Sequence, residues 1–282
     1  MFERIKNILL EKGITCFGAI PLSECEIKRE YLLKRSGLDT HTATVVMLAV
    51  PYYTEICDRQ RNVSAYAVSR DYHLFLDSLF SEMLGILRTE YPQNRFDAFC
   101  DHSPINEITA AAKAGLGVIG KNHLIITEKY SSYVFLGEII TDATLPCKLH
   151  EIRTCEGCNA CVSACRIGLT ANGECLSALT QKKGVLSGEE HDTIFESGCV
   201  WGCDDCQQSC PHTISAIKNK TVYSPIPFFY ENALPYLTYD TVSTMPDEEF
   251  GKRAYSWRGR AVIERNLLEF EKRLKNQKTE EK

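Results

Sequence analysis

The stretch Cys155-Glu-Gly-Cys-Asn-Ala-Cys-Val-Ser-Ala-Cys165 decides the fold, and a second run, Cys203-Asp-Asp-Cys-Gln-Gln-Ser-Cys-Pro211, follows it. The first run has the spacing Cys-x2-Cys-x2-Cys-x3-Cys of bacterial ferredoxins, in which three thiolates hold one 4Fe-4S cluster and the fourth holds the other. Arg166 stands where a proline usually follows, and this change removes no ligand. The two runs predict two clusters held by Cys155, Cys158, Cys161, Cys165, Cys203, Cys206 and Cys210.

Two 4Fe-4S clusters need eight thiolates, so one ligand must come from outside the runs. Cys175 and Cys199 both lie within reach along the chain, and spacing alone leaves both open. A structural zinc site is the alternative interpretation, because Cys-x2-Cys pairs also bind zinc. The x2-x2-x3 run and the following Cys-Pro are not typical of zinc sites, and they favour iron–sulfur clusters.

The cysteine content also indicates a reducing compartment. The chain has 14 cysteines in 282 residues, and they do not follow an export signal, because Met1 to Lys12 is too highly charged for the apolar core of one. The longest apolar stretch, Val45 to Val50, is far shorter than the roughly 20 residues of a membrane helix. We therefore expect a cytoplasmic protein that does not engage a membrane. The five cysteines outside the motif region, Cys16, Cys25, Cys57, Cys100 and Cys147, are expected to be small buried side chains.

A net charge of -5, with 44% hydrophobic and 24% charged residues, is typical of a globular protein and disfavours disorder or strongly basic nucleic-acid binding. Residue patterns predict strands near 14–20, 43–50, 95–100, 123–127 and 133–140, all around one sheet. They predict helices from Phe2, over 24–35, from Ser69 to Pro92 and from Pro104, the third with one apolar stripe that includes Tyr72. Glu248 to Arg273 reads as one or two charged helices.

The pattern divides the chain into three expected segments. Residues 1–145 form an α/β domain, 146–215 a small module held by metal rather than by a core, and 216–282 a linker with charged helices. Because clusters move single electrons, a two-cluster module beside a larger domain suggests a redox enzyme whose catalytic centre lies elsewhere.

Several motifs occur in one order along the chain: Ala65-Tyr-Ala67, Arg70-Asp-Tyr-His73, Cys100-Asp-His-Ser-Pro-Ile-Asn-Glu107, Ala114-Gly-Leu-Gly-Val-Ile-Gly-Lys-Asn122, Phe135-Leu-Gly-Glu-Ile-Ile-Thr141, Gly202-Cys-Asp-Asp-Cys-Gln-Gln-Ser-Cys-Pro211, Trp257-Arg-Gly-Arg260 and Arg265-Asn266. In this order they resemble the epoxyqueuosine reductase family. The resemblance covers about residues 40 to 268 and identifies the chain as a short form without the family's C-terminal helical-repeat domain.

The resemblance implies an α+β fold: a nitroreductase-like, cobalamin-binding α/β sandwich followed by a ferredoxin-like module with two 4Fe-4S clusters. It implies an oxidoreductase that reduces epoxyqueuosine to queuosine in tRNA and uses cobalamin. It further implies that one cluster has the ligands Cys155, Cys158, Cys161 and Cys210, and the other Cys165, Cys175, Cys203 and Cys206. In this assignment Cys199 is left over.

The resemblance also assigns roles outside the clusters. Asp101 matches the family's proton donor, since an acid must protonate the departing epoxide oxygen. A helix-capping role is the alternative for Asp101. Tyr72, His73, Asp101, Gly117, Lys121 and Asn122 match segments near the cobalamin. For the glycines the alternative is an ordinary tight turn, and for Tyr72 it is the core stripe. His102 is adjacent to Asp101 and is a further, weaker candidate for carrying a proton.

We expect a monomer with two partners, the anticodon region of tRNA and an external low-potential electron donor. Lys252, Arg253, Arg258, Arg260 and Arg265 are the main late basic residues, and they are interpreted as solvated helix faces or as an RNA contact surface. Two other functions stay open: a cobalamin and iron–sulfur reductase of a small molecule or corrinoid, resembling reductive dehalogenases, and a ferredoxin-type electron-transfer protein.

Overall fold

The computed structural model describes residues 1–38, 41–167 and 175–280. The strands are β1 (Cys16–Pro21), β2 (Thr44–Pro51), β3 (Phe96–Phe99), β4 (Val118–Ile119), β5 (Ile125–Ile126) and β6 (Val134–Thr141). The α-helices are α1 (Phe2–Glu11), α2 (Glu30–Ser36), α3 (Tyr72–Glu90), α4 (Glu107–Lys113), α5 (Ala160–Ala164), α6 (Leu176–Thr180), α7 (Gly188–Ser197), α8 (Asp205–Gln208), α9 (Pro211–Lys218), α10 (Tyr239–Ser243), α11 (Asp247–Gly251) and α12 (Arg260–Glu280). Over the described ranges, no helix combines the length and apolar character needed to cross a membrane.

The chain forms two compact units, and neither is a continuous stretch of sequence. The first contains Met1–Tyr52, His73–Cys158 and Pro211–Ile226. The second contains Tyr53–Tyr72 and the described parts of Asn159–Cys210 and Pro227–Lys282. The three consecutive segments expected from the sequence were defined by motifs and their function, whereas these two units are defined by contacts in the folded chain.

A four-stranded antiparallel sheet is the framework of the first unit, with strand order β1-β2-β6-β3. All eight residues of β2 are buried, as the continuous apolar run predicted. The predicted strand at 123–127 does form, as β5, but its place in the sheet was wrong: β5 pairs only with β4, in a separate two-stranded hairpin. Strand β5 has two residues, too few to add a stable row to the main sheet.

Two predicted helices begin later than the sequence suggested. The helix expected over 24–35 is a short 3-10 turn followed by α2, because Glu26 and Ile27 contact the segment before α4 instead of coiling. Pro104 does not open α4. Asn106 caps it, and the Asn106 side chain accepts a hydrogen bond from Thr109 N at 3.3 Å.

Helix α4 packs on one face of the main sheet and closes an apolar core there. Its alanines Ala110, Ala111 and Ala112 are buried against residues of β1, β2 and β6. Small side chains allow the helix to lie close to the strands. The closest approach is at Gly18 of β1, where an added Cβ would lie 2.1 Å from the carbonyl oxygen of Ala114.

The second unit is mainly helical and has a small apolar core. Leu176, Leu186 and Ile194 form a buried apolar cluster, and α12 packs against α6, α7 and α10. The buried Asn266 of α12 donates to Thr180 O at 2.7 Å and to Val200 O at 2.9 Å. Apolar burial and backbone hydrogen bonds therefore stabilise this unit.

The packing at Gly18 predicts a stability difference between two glycine-to-alanine substitutions. Gly18→Ala forces β1 and the end of α4 apart, and we expect it to lower the free energy of unfolding by about 2 to 3 kcal/mol. Gly85 lies in the exposed part of α3 with no atom within 4 Å of an added Cβ. Gly85→Ala is therefore expected to change stability by less than about 1 kcal/mol, in the stabilising direction. Urea unfolding followed by circular dichroism measures both, and equal stability of the two variants would contradict the close packing of α4.

Candidate functional site

The connection from β3 to α4 places Asp101 in a strained turn. Asp101 has φ +57°, a left-handed conformation that few non-glycine residues adopt, although aspartate tolerates it better than most. His102 N–H donates to Cys100 O at 2.5 Å, which closes a three-residue turn around Asp101. Three-residue turns with a positive φ at the centre are rare, and backbone strain of this kind is concentrated at functional sites.

The side chains of Glu107 and His73 contact Asp101 itself. Glu107, in the first turn of α4, accepts a hydrogen bond from Asp101 N–H at 3.1 Å. His73, near the start of α3, places Nε2 at 3.3 Å from Asp101 Oδ2. The His73 and Asp101 side chains are 44% and 59% exposed, so both polar groups are open to a ligand. A proton-donating carboxyl has to be shielded from water, but the Asp101 carboxyl is not buried within this unit. A bound cofactor or substrate would have to cover it.

Below the turn lies a pair of carboxyl groups, one buried and one half-buried, that the sequence analysis missed. Glu138 lies in the middle of β6 and is 0% exposed. Its Oε1 accepts a hydrogen bond from the Ser103 hydroxyl, and its carboxyl hydrogen bonds to that of Glu107. A glutamate between Gly137 and Ile139, inside an apolar strand, was the signal in the sequence.

Burial and like charge change the ionisation of this pair. Desolvation, followed by the charge of Asp101, raises the pKa of Glu107 to about 7. Desolvation, followed by the charge of Glu107, raises the pKa of Glu138 well above its ordinary value. The hydrogen bond between them lowers the pKa of Glu107 and raises that of Glu138. Because Glu138 is fully buried whereas Glu107 is half-buried, desolvation favours the neutral form of Glu138, and we take Glu138 as the donor of this bond.

His102, the weaker candidate for a proton carrier, lies beside a tyrosine. Its Nε2 is 2.7 Å from the hydroxyl oxygen of Tyr31, and the two rings are tilted by 56°. Both groups can exchange protons, but the hydrogen bond also gives His102 a structural role.

Gly117, Lys121 and Asn122 lie together on the β4–β5 hairpin. A Cβ at Gly117 would lie 2.2 Å from Ile126 O, so the close approach of the two strands already requires a glycine there. The Asn122 side chain accepts a hydrogen bond from Leu124 N at 3.4 Å, whereas Lys121 is exposed. Beside the hairpin is a cavity of about 550 Å³ whose lining includes Gly117, Tyr130 and Arg153.

Tyr72 is the first residue of α3, and the apolar stripe predicted for this helix is confirmed. The stripe residues Leu76, Leu79, Phe80, Met83 and Leu87 are buried. Tyr72 itself is half-buried.

All fourteen cysteines lie in the described ranges, and none forms a disulfide bond. Cys155 and Cys158 belong to the first unit, and the other six predicted cluster ligands belong to the second. Within the second unit, Cys161 is on α5 and Cys206 is on α8, and these two helices pack together. An ion pair between Arg166 Nε and Asp205 Oδ2, at 3.2 Å, lies beside Cys165 and Cys206.

Within residues 1–38, 41–167 and 175–280, no metal-binding arrangement of three or more His, Cys, Asp or Glu side chains is present. The donor set itself consists of thiols, which are the ligands that iron–sulfur clusters take.

The two candidates for the eighth ligand differ in their surroundings. Cys175 is exposed at the N-cap of α6. The Cys199 thiol donates to Trp201 O at 3.2 Å, and desolvation, followed by the charge of Asp204, raises its pKa to about 12. Exposure and hydrogen bonding distinguish the two candidates, and the choice of the eighth ligand stays a prediction.

The five scattered cysteines only partly match the expectation that they are buried. Cys57 is buried, Cys16, Cys25 and Cys100 are half-buried, and Cys147 is exposed. Burial raises the pKa of the Cys16 thiol to about 11 and that of Cys100 to about 12. These thiols stay protonated and are poor nucleophiles.

The late basic residues lie in the second unit, and most of them are hydrogen bonded to backbone carbonyls. Arg260 donates to Val242 O and Met245 O, Arg265 to Lys182 O and Gly184 O, and Arg253 to Asn232 O. Lys252 pairs with Glu248 and Glu249. Arg258 stacks on the exposed Trp257 ring, with its guanidinium carbon 3.8 Å from the ring centroid. Except for Arg258, these residues have structural partners and are not simple solvated faces.

Comparison with known proteins assigns the chain to a family. The family description "Epoxyqueuosine reductase QueG, DUF1730" matches residues 36–102. An epoxyqueuosine reductase of Gloeobacter violaceus is 32% identical over 73% of this chain and 68% of its own length. One of Bacillus cereus is 31% identical over 71% of this chain and 53% of its own length. The chain spans about half the length of several relatives that it matches.

The fold matches as well. The structure of epoxyqueuosine reductase from Streptococcus thermophilus superposes with a TM-score of 0.73 at 24% identity, over 96% of this chain and 80% of that chain. A second structure, described as epoxyqueuosine reductase with an epoxyqueuosine-modified tRNA stem loop, superposes with a TM-score of 0.71 at 23% identity, over 95% of this chain and 81% of that one. By its sequence relatives, and with a mixed α and β fold that agrees, the chain belongs to the epoxyqueuosine reductase family.

Proposed function

We propose that this protein reduces epoxyqueuosine to queuosine in tRNA. The observation that carries the proposal is the strained turn at Asp101, which presents an exposed carboxyl beside His73 in a chain of this family. One structural relative is described with an epoxyqueuosine-modified tRNA stem loop, and another, from Bacillus subtilis, with a catalytic aspartate loop swung out of its active site. We infer that the Asp101 turn corresponds to such a catalytic loop.

The reaction defines what the site must supply. Epoxyqueuosine, two electrons and two protons give queuosine and water: both carbon–oxygen bonds of the epoxide break and a carbon–carbon double bond forms. The departing oxygen needs an acid within hydrogen-bonding distance. In our proposal Asp101 donates a proton to that oxygen, and His73, in contact with Asp101, orients the carboxyl.

The electrons are proposed to pass through two 4Fe-4S clusters in a ferredoxin-like module. Thiols at ferredoxin spacing fit such clusters. We assign Cys155, Cys158, Cys161 and Cys210 to one cluster, and Cys165, Cys175, Cys203 and Cys206 to the other. Helices α5 and α8 pack together and carry Cys161 and Cys206, which belong to different clusters in this assignment, and this packing supports two neighbouring clusters. An external low-potential donor supplies the electrons.

Cobalamin is the proposed redox cofactor, held by an α/β domain of the nitroreductase-like type. When bound, it supplies low-potential electrons to the substrate carbon. The exposed polar groups of Asp101 and His73 fit a large polar cofactor, and Lys121 and Asn122 offer further donors to its amides. Tyr72 and Gly117 complete the proposed contacts. The role proposed for the residues of the first unit, Asp101, His73, Gly117, Lys121 and Asn122, is to position the cofactor and to exclude water from the Asp101 carboxyl.

The proposed substrate is the anticodon region of tRNA, bound by a monomer. Most late basic residues are already hydrogen bonded within the protein. We therefore propose Arg258 and Trp257 as the RNA contact in this part of the chain. Trp257 is 57% exposed, and an exposed aromatic ring beside a guanidinium is suited to stacking on a base.

Turnover tests the proposal directly. After anaerobic reconstitution with iron, sulfide and cobalamin, we expect the protein and a strong reductant to convert epoxyqueuosine-containing tRNA to queuosine, measured by mass spectrometry of the nucleosides. Asp101→Asn keeps the shape of the side chain but has no proton to give, so we expect a loss of turnover of roughly 100-fold or more with both cofactors retained. Asp97→Asn on the neighbouring strand is a control that we expect to leave turnover unchanged.

Wild-type turnover in Asp101→Asn would remove the acid role. Binding of both cofactors without queuosine formation would indicate a reductase of a small molecule or corrinoid. A preparation that binds clusters but not cobalamin would instead indicate an electron-transfer protein.

The iron content of two variants tests the eighth cluster ligand. Cys175→Ala is expected to lower the iron bound after reconstitution, because one cluster loses a thiolate, whereas Cys199→Ala retains the wild-type content. Iron and sulfide analysis with electron paramagnetic resonance of the reduced protein measures this. The opposite result, with iron lost only in Cys199→Ala, would exchange the two assignments.

A further inference from the structure

The Glu107–Glu138 pair has an arrangement that a purely structural role does not explain. Glu138 lies on β6 directly between Met47 of β2 and Phe99 of β3, and its neighbours on the same face of β6 pack in the apolar core below α4. An ionised carboxyl at such a position is costly unless it is paired with a cation. Glu138 instead contacts the hydroxyl of Ser103 and a second carboxyl, that of Glu107.

The hydrogen bonds of the pair require a proton. Ser103 donates to Glu138 Oε1, and among the described residues Glu138 Oε2 has no donor. Two carboxylates cannot hydrogen bond to each other, because each is only an acceptor when ionised. The contact between the two groups is therefore stable only when one of them carries a proton. Glu138 is fully buried and Glu107 only half-buried, so the neutral, proton-donating carboxyl is that of Glu138.

The pair also contacts the turn that carries the proposed acid. Glu107 Oε1 accepts the N–H of Asp101, and Ser103, the donor to Glu138, is two residues beyond Asp101. Arg29, the residue that precedes α2, donates a hydrogen bond to Ser103 O at 2.9 Å and so connects the same segment to the start of α2. The pair thus holds the segment at two points: Glu107 binds the backbone of Asp101, and Glu138 binds the side chain of Ser103.

We propose that Glu107 and Glu138 share one proton and act as positioning residues for Asp101: protonated Glu138 holds the Glu107 carboxylate, which in turn holds the Asp101 backbone in its strained conformation. A carboxylate is a stronger acceptor of an N–H bond than a neutral carboxyl. This inference deepens the proposed function and rests on it where it concerns turnover.

Other groups near the pair are compatible with this arrangement. Those that act on the ionisation of Glu107, Glu138 or the adjoining thiols are Asp101, Arg29, Cys25, Cys100, Asp77, Glu24 and Lys113. Lys113 contacts Glu24: its Nζ lies 2.6 Å from the Glu24 carbonyl oxygen and 3.6 Å from a carboxylate oxygen of the same residue. Arg29 lowers the pKa of Glu107 and donates a hydrogen bond to Ser103 O.

Two substitutions of Glu138 separate positioning from packing. In Glu138→Gln the amide N–H₂ donates to Glu107 and the amide oxygen accepts from Ser103, so the contacts stay without a titrating proton. Glu138→Leu fits the apolar surroundings but removes both contacts. We expect both variants to fold, Glu138→Gln to keep turnover within about threefold, and Glu138→Leu to lose roughly tenfold or more, the equivalent of one hydrogen bond. Glu90→Gln, in a surface ion pair with Arg4, is the matched control.

Equal turnover of Glu138→Leu and Glu138→Gln would overturn the positioning role. A second readout does not depend on activity. Infrared spectra of the full-length reconstituted protein should contain the band of a buried protonated carboxyl at pH 8, which is absent from Glu138→Gln and present in Glu90→Gln. Absence of that band from the wild type would overturn the shared proton. If the band is present but no variant acts on tRNA, the proposed function fails while the shared proton stands.

Discussion

The central position of β6 is the constraint on which the first unit depends. This strand pairs with β2 on one side and β3 on the other, so every backbone group along its middle is committed to the sheet. Helix α4 then covers one face of the same sheet, at a distance set by Gly18 and the helix alanines. A polar side chain placed there cannot escape to water. Glu138 is in that position, and its burial makes the chemistry of its neighbours interdependent.

The Asp101 turn can be understood as a consequence of this packing. Strand β3 ends at Phe99, and α4 begins only at Glu107, so the intervening segment has to reverse direction over the edge of the core. Hydrogen bonds from Ser103 to Glu138 and from Asp101 to Glu107 replace the regular backbone bonds that the turn lacks. The strain at Asp101 is therefore offset by buried polar contacts, and the carboxyl stays exposed on the other side.

Local signals in the sequence were sufficient for part of this account. The stripe of α3 predicts burial because it has helical period, and the structure confirms that burial. Cysteine spacing predicts cluster ligands because a cluster imposes fixed separations, and these ligands stay a prediction. The order of motifs predicted the family, which sequence relatives confirm. Long-range contacts were not accessible in the same way. The partnership of Glu107 with Glu138 joins residues that are distant in the chain, and so does the contact that delays α2. Arg260 and Arg265 look like surface charges in sequence, yet their partners are carbonyls of other segments.

The central claim is that one proton is shared by Glu107 and Glu138 beneath Asp101. Neutron diffraction from a deuterium-exchanged crystal, grown near pH 8, locates that proton directly. The account predicts one deuterium on Glu138 Oε2, directed at the Glu107 carboxylate, with the N–D of Asp101 directed at Glu107 Oε1. Two unprotonated carboxylates separated by water or by a bound cation would contradict it.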